Sequence, residues 1–381
     1  MAQILDASLQ AVLVIFENAR SFYLKQDFKQ AREVINEYQK LIDYSLFPIQ
    51  ENRNLTKTVE SSVVLVSYGS GIKLIDCIQS LQKQHDDSFE IIVVDNGKNE
   101  NVYSQLASLP ILWIKSPINL LPSEGRNLGA SFARGKWLIF LDDDALVEGS
   151  YTKIARTTME SGYFIAIRGK VLPKKQDKKT EIPKHYDLGN RAIPSELTVE
   201  GNMVMQRQTF MDIGGFDPLM FGHEGKEITW RCQYFFPHKN IFYWPLLRIK
   251  HNFAEGERLK NKIHRQNLGF AYLNYLNNNK NTWKTITSLN KVSKKKSKNI
   301  KKITLEDKIQ IKLNQSQEIL EKINAIKIEI KRNKEQSKPN SIIENNQDEF
   351  HQLIYLLNKT SIEYKDICDD MQELRVYRFH Q

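Results

Sequence analysis

Three consecutive aspartates, Asp142-Asp143-Asp144, close the apolar run Trp137 to Leu141. In an extended segment alternate side chains share a face, so Asp142 and Asp144 point the same way. Two carboxylates converging at a strand end make a hard-oxygen site for Mg²⁺ or Mn²⁺, with positions left for water and substrate phosphate. An acidic loop or a helix N-terminus is the plainer alternative. Three aspartates at the end of a buried strand repel one another unless a cation is present, which favours the metal reading. Two other polar pairs, Ser67-Tyr68 and Asp95-Asn96, also follow apolar runs directly. The always-charged planar fork of Arg126 suits a phosphate or a base, unless it is only a solvent-facing residue in the first turn of a helix. His251 ends the run Leu246 to Lys250; taken alone, such a histidine is more often structural than ligating.

These residues need strand ends to carry them. Val63 to Val66, Ile91 to Val94, Leu112 to Ile114 and Trp137 to Leu141 are continuous apolar runs. Helical patterns at Leu74 to Leu81 and Ser123 to Ala133 lie between them. That alternation predicts a mostly parallel sheet covered on both faces. Ligands of such sheets bind beyond the carboxyl ends of the strands, where all three polar clusters fall. One site is thus built from separate segments.

The order Val-Leu-Val-Ser-Tyr (64–68), Ile-Val-Val-Asp-Asn-Gly (92–97), Gly-Arg-Asn-Leu-Gly-Ala (125–130), Leu-Asp-Asp-Asp (141–144) and Gly-Gly-Phe-Asp (214–217) resembles family 2 glycosyltransferases. The resemblance runs from about Ser61 to Leu273. It implies an α/β fold of the GT-A type, a Rossmann-like, mostly parallel sheet here flanked by N- and C-terminal helical regions. It also implies a nucleotide-sugar donor, with a UDP-sugar expected, Mn²⁺ or Mg²⁺ at a DXD motif, and inversion at the anomeric carbon. By the same match Asp144 ligates the metal, Asp142 faces ribose and metal, and His251 completes the metal shell. Asp95 holds the nucleobase, although Asp-Asn-Gly is also good turn sequence. Ser67, Tyr68, Asn96, Arg126 and Asp143 complete the expected donor-binding set.

The acceptor side departs from the family pattern. Where a Glu-Asp pair is expected, with the Asp as general base, this chain reads Glu224-Gly225-Lys226-Glu227. Glu224 and Glu227 are the remaining candidates, with Glu224 favoured at the junction of loop and helix. Gly201 to Met205 resembles the floor between donor and acceptor. The aromatics Trp230, Phe235, Phe236, Tyr243 and Trp244 suit core packing better than sugar stacking. Lys174 to Lys179 reads as a loop that either covers an acidic donor or is solvated. The loss of the expected Asp leaves a second reading, a degenerate transferase acting as a binding scaffold. A nucleotidyltransferase ranks lower, because no Gly-rich start follows the first strand.

The chain has 381 residues, three widely separated cysteines and a net charge of +10. Eight lysines and no acid lie between Lys284 and Lys302, leaving +2 for everything else. A fold-wide nucleic-acid surface would spread its charge over a structured face, so no specific nucleic acid is expected. The basic segment is either a solvated linker or a patch for acidic lipid heads or another polyanion. The expected organisation is a helical hairpin over 1–58, a GT-A domain over 59–280, a Lys-rich linker over 281–304 and helices over 305–381. The N-terminal pattern resembles one tetratricopeptide unit without a second copy, so it must pack on its neighbour. The C-terminal stripes would pack on those helices or on a second copy of the chain, making a homodimer. No secretory signal or membrane span is read, so a cytoplasmic protein is expected, with peripheral membrane contact through the lysines. A glycan, a lipid-linked glycan or a polypeptide is the expected acceptor, with cell-surface polysaccharide biosynthesis the commonest role.

Overall fold

A computed structural model describes residues 6–174, 182–237 and 240–279, together with positions 325 and 328. The Lys-rich linker, nearly all of the C-terminal helical region and most of the Lys174–Lys179 loop lie outside the described residues. The chain divides into two compact units; residues 1–159 and 164–293 form the first, which holds the features described below.

Helices α1 (Ala7–Leu24) and α2 (Phe28–Leu41) start where Asp6 and Asp27 accept hydrogen bonds from the free N–H groups of the first turns. Leu9, Leu13, Phe16 and Tyr23 of α1 and Ile35 and Tyr38 of α2 are buried. They share one core with Leu128, Phe216, Tyr272 and Leu276 of the sheet domain. Each such side chain contributes roughly 1.5–3 kcal/mol on burial, which makes the hairpin part of this core.

Ten strands among the described residues form one sheet. They are β1 (Ile49–Glu51), β2 (Ser61–Ser67), β3 (Phe89–Asp95), β4 (Leu112–Lys115), β5 (Trp137–Asp142), β6 (Leu146–Val147), β7 (Phe164–Pro173), β8 (Ile193–Pro194), β9 (Asn202–Gln206) and β10 (Asn240–His251). Their order is β1-β4-β3-β2-β5-β9-β7-β10-β6, with β8 pairing β10. Strands β2, β3, β4, β5, β7 and β10 run one way, and β1, β6, β8 and β9 run against them. The sheet is therefore mostly parallel. The apolar runs expected as strands form β2 to β5 and the end of β10. Antiparallel β9, inserted between β5 and β7, carries the expected floor segment. Helices α3 (Ile72–Gln82), α4 (Tyr103–Leu106), α5 (Leu121–Ser131), α6 (Tyr151–Glu160), α7 (Arg207–Asp212), α8 (Glu224–Phe235) and α9 (Gly256–Asn278) complete the described elements. None of the described helices is long and apolar enough to cross a membrane.

Two of the recurring segments hold each other. Asn127 on α5 donates to the Phe216 carbonyl and accepts from the Phe216 N–H, at 2.9 and 2.8 Å. Arg231 on α8, fully buried, donates to the Ile213 and Gly215 carbonyls at 2.8 and 2.7 Å. The Gly-Gly-Phe-Asp turn is thereby fixed between α5 and α8.

Candidate active site

Strand register brings the carboxylates together. Ser67 pairs with Asp95, and Val66 pairs with Asp142, so β2 separates two acidic strand ends. At about 4.8 Å per strand those ends are roughly 10 Å apart. After Asp142 the chain turns tightly, the Ala145 N–H donating to the Asp142 carbonyl, and enters β6. Leu146 of β6 pairs with Lys250 of β10, which carries Asp144 to the neighbouring His251. His251 Nε2 lies 2.7 Å from Asp144 Oδ1 and 3.7 Å from Asp142 Oδ2. Arg126 reaches the other oxygen of Asp142 at 3.3 Å. Gly201 makes this possible: a Cβ there would lie 1.9 Å from Asp142 Cγ.

Electrostatics follow from that contact. Burial is the largest influence on both Asp144 and His251 and works against their charged forms, but their mutual hydrogen bond and attraction, with Lys174 and Lys73 acting on Asp144 and Asp142 on His251, together outweigh it. Asp144 is held below its ordinary value and His251 above its own. Asp143 is different: burial pushes it up to about 6, opposed by the hydroxyls of Ser67 and Ser70. Its Oδ2 is buried without a hydrogen-bond partner.

Two carboxylates and an imidazole suit a divalent ion that accepts both oxygen and nitrogen. Among the described residues, however, no group of three or more His, Cys, Asp or Glu side chains stands ready as a metal cage. Asp144 and His251 are closed on each other at hydrogen-bond distance, so they must part before both could ligate one ion.

The donor-side residues divide by what holds them. Asp95 is buried, its Oδ1 accepting from the Gly97 N–H and from Asn99 at 2.9 and 2.8 Å, so it does serve its turn. Burial and the Asp95 charge push Tyr103 up to about 12. The amide of Asn96 is taken up by the Leu120 N–H and the Leu121 carbonyl, which fixes the start of α5. Ser67 is buried against Asn99, whereas Tyr68 is exposed with Lys98 over its ring.

Two cavities meet at Asp142. One, about 1170 Å³, is lined by Lys73, Asp144, Lys184, His251 and Arg258. The other, about 480 Å³, is lined by Glu196, Glu200, His223 and Glu224. Asp142, Tyr186, Lys262 and Arg265 line both. Burial, reinforced by the charge of Glu200, pushes Glu224 up to about 7, a value suited to a general base. Glu227 does not share this place. It is fully buried and bound by Arg231, with Nη2 at 2.6 Å. The expectation that Glu227 could take the acceptor's proton is thus corrected: it anchors the arginine that holds the Gly-Gly-Phe-Asp turn.

Sequence reasoning missed Glu200, Tyr186 and the basic side of α9. Glu200 borders the expected floor segment, which was a usable signal. Lys262 and Arg265 at i, i+3 gave none, since they look like surface charges. Tyr243 and Trp244 are buried core, and Trp230 donates to Glu196 at 2.9 Å.

Residues 62–216 match the model of glycosyl transferase family 2. An uncharacterized glycosyltransferase of Haemophilus influenzae is 37 % identical over 84 residues, 22 % of this chain and 29 % of that protein. The uncharacterized glycosyltransferase YfnE of Bacillus subtilis is 36 % identical over 93 residues, 23 % of this chain and 24 % of YfnE. The matched stretch therefore spans less than a third of either relative. Among solved structures, TarS 1-349 of S. aureus in complex with UDP-GlcNAc aligns with a TM-score of 0.44 and 15 % identity, over 68 % of this chain and 81 % of that one.

Proposed function

We propose, starting from the glycosyl transferase family 2 domain that residues 62–216 form, that this protein transfers a sugar from a nucleotide-diphosphate donor to a hydroxyl acceptor with inversion. A UDP-sugar is the proposed donor; a glycan, a lipid-linked glycan or a polypeptide is the proposed acceptor. The observation that carries the reading is the shared wall at Asp142, with the acidic and basic residues of the larger cavity on one side and Glu224 on the other.

The acceptor lies in the smaller cavity and gives its hydroxyl proton to Glu224. Its oxygen attacks the anomeric carbon as the bond from that carbon to phosphate oxygen breaks. The electron pair leaves with the diphosphate, beside Lys73, Lys184, Arg258, Lys262 and Arg265, whose charges favour the departing anion. Asp142, Asp144 and His251 are the residues that would hold Mn²⁺ or Mg²⁺, which would supply further neutralisation of the diphosphate. A cytoplasmic site, with the lysines of 284–302 against an acidic membrane face, is part of the proposal.

The test is a screen of UDP- and GDP-sugars for nucleoside diphosphate release by the purified chain, with and without Mn²⁺. Release of diphosphate is expected. Release of pyrophosphate would indicate nucleotidyl transfer instead, and neither binding nor release of any donor would leave the scaffold reading.

A further inference from the structure

We propose that Glu200 is the second carboxylate of the acceptor cavity, a positioning residue held by the Gly225 N–H that sets the charge beside Glu224 and steers the acceptor hydroxyl toward it. The proposal deepens the function given above and depends on it for its kinetic consequence.

The segment carrying Glu200 is stitched to α8 by three bonds. The Leu197 N–H donates to Thr229 Oγ1 at 2.9 Å, the Gly225 N–H donates to Glu200 Oε1 at 2.7 Å, and Trp230 Nε1 donates to Glu196 Oε1. Thr229 Oγ1 in turn donates to the Gly225 carbonyl at 2.6 Å. The fit leaves no room for a side chain at 225: a Cβ there would sit 1.4 Å from the Leu197 oxygen and 2.9 Å from Glu200 Oε1. Residue 225 can therefore bring no acid to the cavity, and the segment lying over it does. Glu224 is fixed separately, its Oε2 accepting from the Gly222 N–H at 3.0 Å. Each glutamate thus has one oxygen tied to backbone, and both line the same 480 Å³ cavity. The next residue, Gly201, packs against Asp142, so the segment also spans the distance from base to strand end.

Two carboxylates in one cavity cannot both ionise freely, and the charge of Glu200 raises the proton affinity of Glu224. The other charged or titratable side chains that interact with Glu224 are Arg126 from α5 and Tyr23 from α1. Asp142 of β5, His223 and Lys226 at the start of α8, and Lys262 and Arg265 of α9 share the cavity wall.

The experiment is a ¹³C-carboxyl NMR titration of the full chain labelled at glutamate. Glu224 is identified by the signal that Glu224→Gln removes. In Glu200→Gln, which keeps size and the bond from Gly225, the Glu224 midpoint should fall by about one pH unit, a tenfold gain in ionised fraction below the midpoint. Glu200→Asp, retaining the charge, should restore most of the shift. The acid limb of UDP release from UDP-GlcNAc with Mn²⁺ should move with the NMR midpoint. A Glu224 midpoint unchanged in Glu200→Gln overturns the proposal. A shifted midpoint in a protein that releases no nucleotide supports the pair and counts against the proposed function, so the two failures are distinct.

Discussion

Replacing Gly225 by aspartate restores, on paper, the acid that the family pattern leads one to expect, and the structure says it should do harm. A Cβ at 225 would lie 1.4 Å from the Leu197 oxygen, whereas ordinary contact begins at 3.4 Å. The Leu197 to Glu200 segment would have to retreat by about 2 Å. Overpacking of that kind costs about 1–3 kcal/mol. The retreat also breaks the bond from the Gly225 N–H to the Glu200 carboxylate, worth roughly another 1.5–3 kcal/mol for a charged acceptor. A loss of about 3–5 kcal/mol follows, or a fall in Tm on the order of 10 °C. Gly225→Ala carries the same clash without the new charge and should fall by a similar amount. Urea denaturation followed by circular dichroism measures the stability, and diphosphate release from a UDP-sugar measures the activity. Both variants should lose both. If Gly225→Ala unfolds at the wild-type urea midpoint, or Gly225→Asp turns over faster than wild type, the steric argument and the assignment of Glu224 fall together.

Glu224→Gln should abolish transfer yet stabilise the fold at high pH. The folded carboxyl sits near pH 7 against an ordinary 4.5, so the folded chain keeps a proton that the unfolded chain loses, and stability drains away as pH rises through that window. By pH 8 the variant should be the more stable by up to about 3 kcal/mol, with no difference at pH 4; equal urea midpoints at pH 8 would contradict it. Arg32→Ala leaves Asp217 buried without its 2.9 Å partner and should cost about 3–5 kcal/mol, with the double variant Arg32→Met/Asp217→Asn recovering part of it; simple additivity in the cycle would show no coupling. Asp144→Ala should lose Mn²⁺ binding by calorimetry and diphosphate release while the circular dichroism spectrum stays native.

The legible parts of this molecule are those governed by local rules. Continuous β-branched runs specify strands buried on both faces, whereas Asp142 and Asp144 come near His251 through the tight turn after β5 and the register of β6 with β10, which strand alternation does not give. Turn chemistry at Asp95 was legible too, and the structure shows Oδ1 doing that job. The role of Glu227 was available but overlooked: Arg231 stands at i+4, the spacing of a helical ion pair. The hydrogen bonds of Asn96 could not be read from the sequence, because its partners, Leu120 and Leu121, lie two dozen residues away at the start of α5. Glu200 and Gly225 could not be paired from sequence at all. Their meeting depends on where the segment before β9 crosses the first turn of α8, and that crossing is a matter of tertiary packing.

The same distinction explains the N-terminal hairpin. A lone helical pair with an apolar face must cover it with something, but hydrophobicity does not say what. The polar contacts do. Tyr38 and Tyr44 both donate to the buried carboxylate of Glu124 at 2.7 Å, on the helix that presents Arg126 to Asp142. Arg32 donates to Asp217 at 2.9 Å, in the turn that Asn127 and Arg231 also grip. That turn leads into α8 and Glu224. Burial raises Glu124 above its ordinary value, and hydrogen bonds from Tyr38, Asn127 and Tyr44 oppose the rise, so α2 and the turn just after it supply two of the carboxylate's three side-chain donors. Removing the chain through Tyr44 would strip two donors from Glu124 and the cation from Asp217 at once. Two buried carboxylates would then flank the helices that carry Arg126 and Glu224, and in the absence of new donors these helices could not keep their present positions. The hairpin is thus part of what aims the base at the sheet's edge, and a chain lacking it should lose diphosphate release along with its cooperative unfolding.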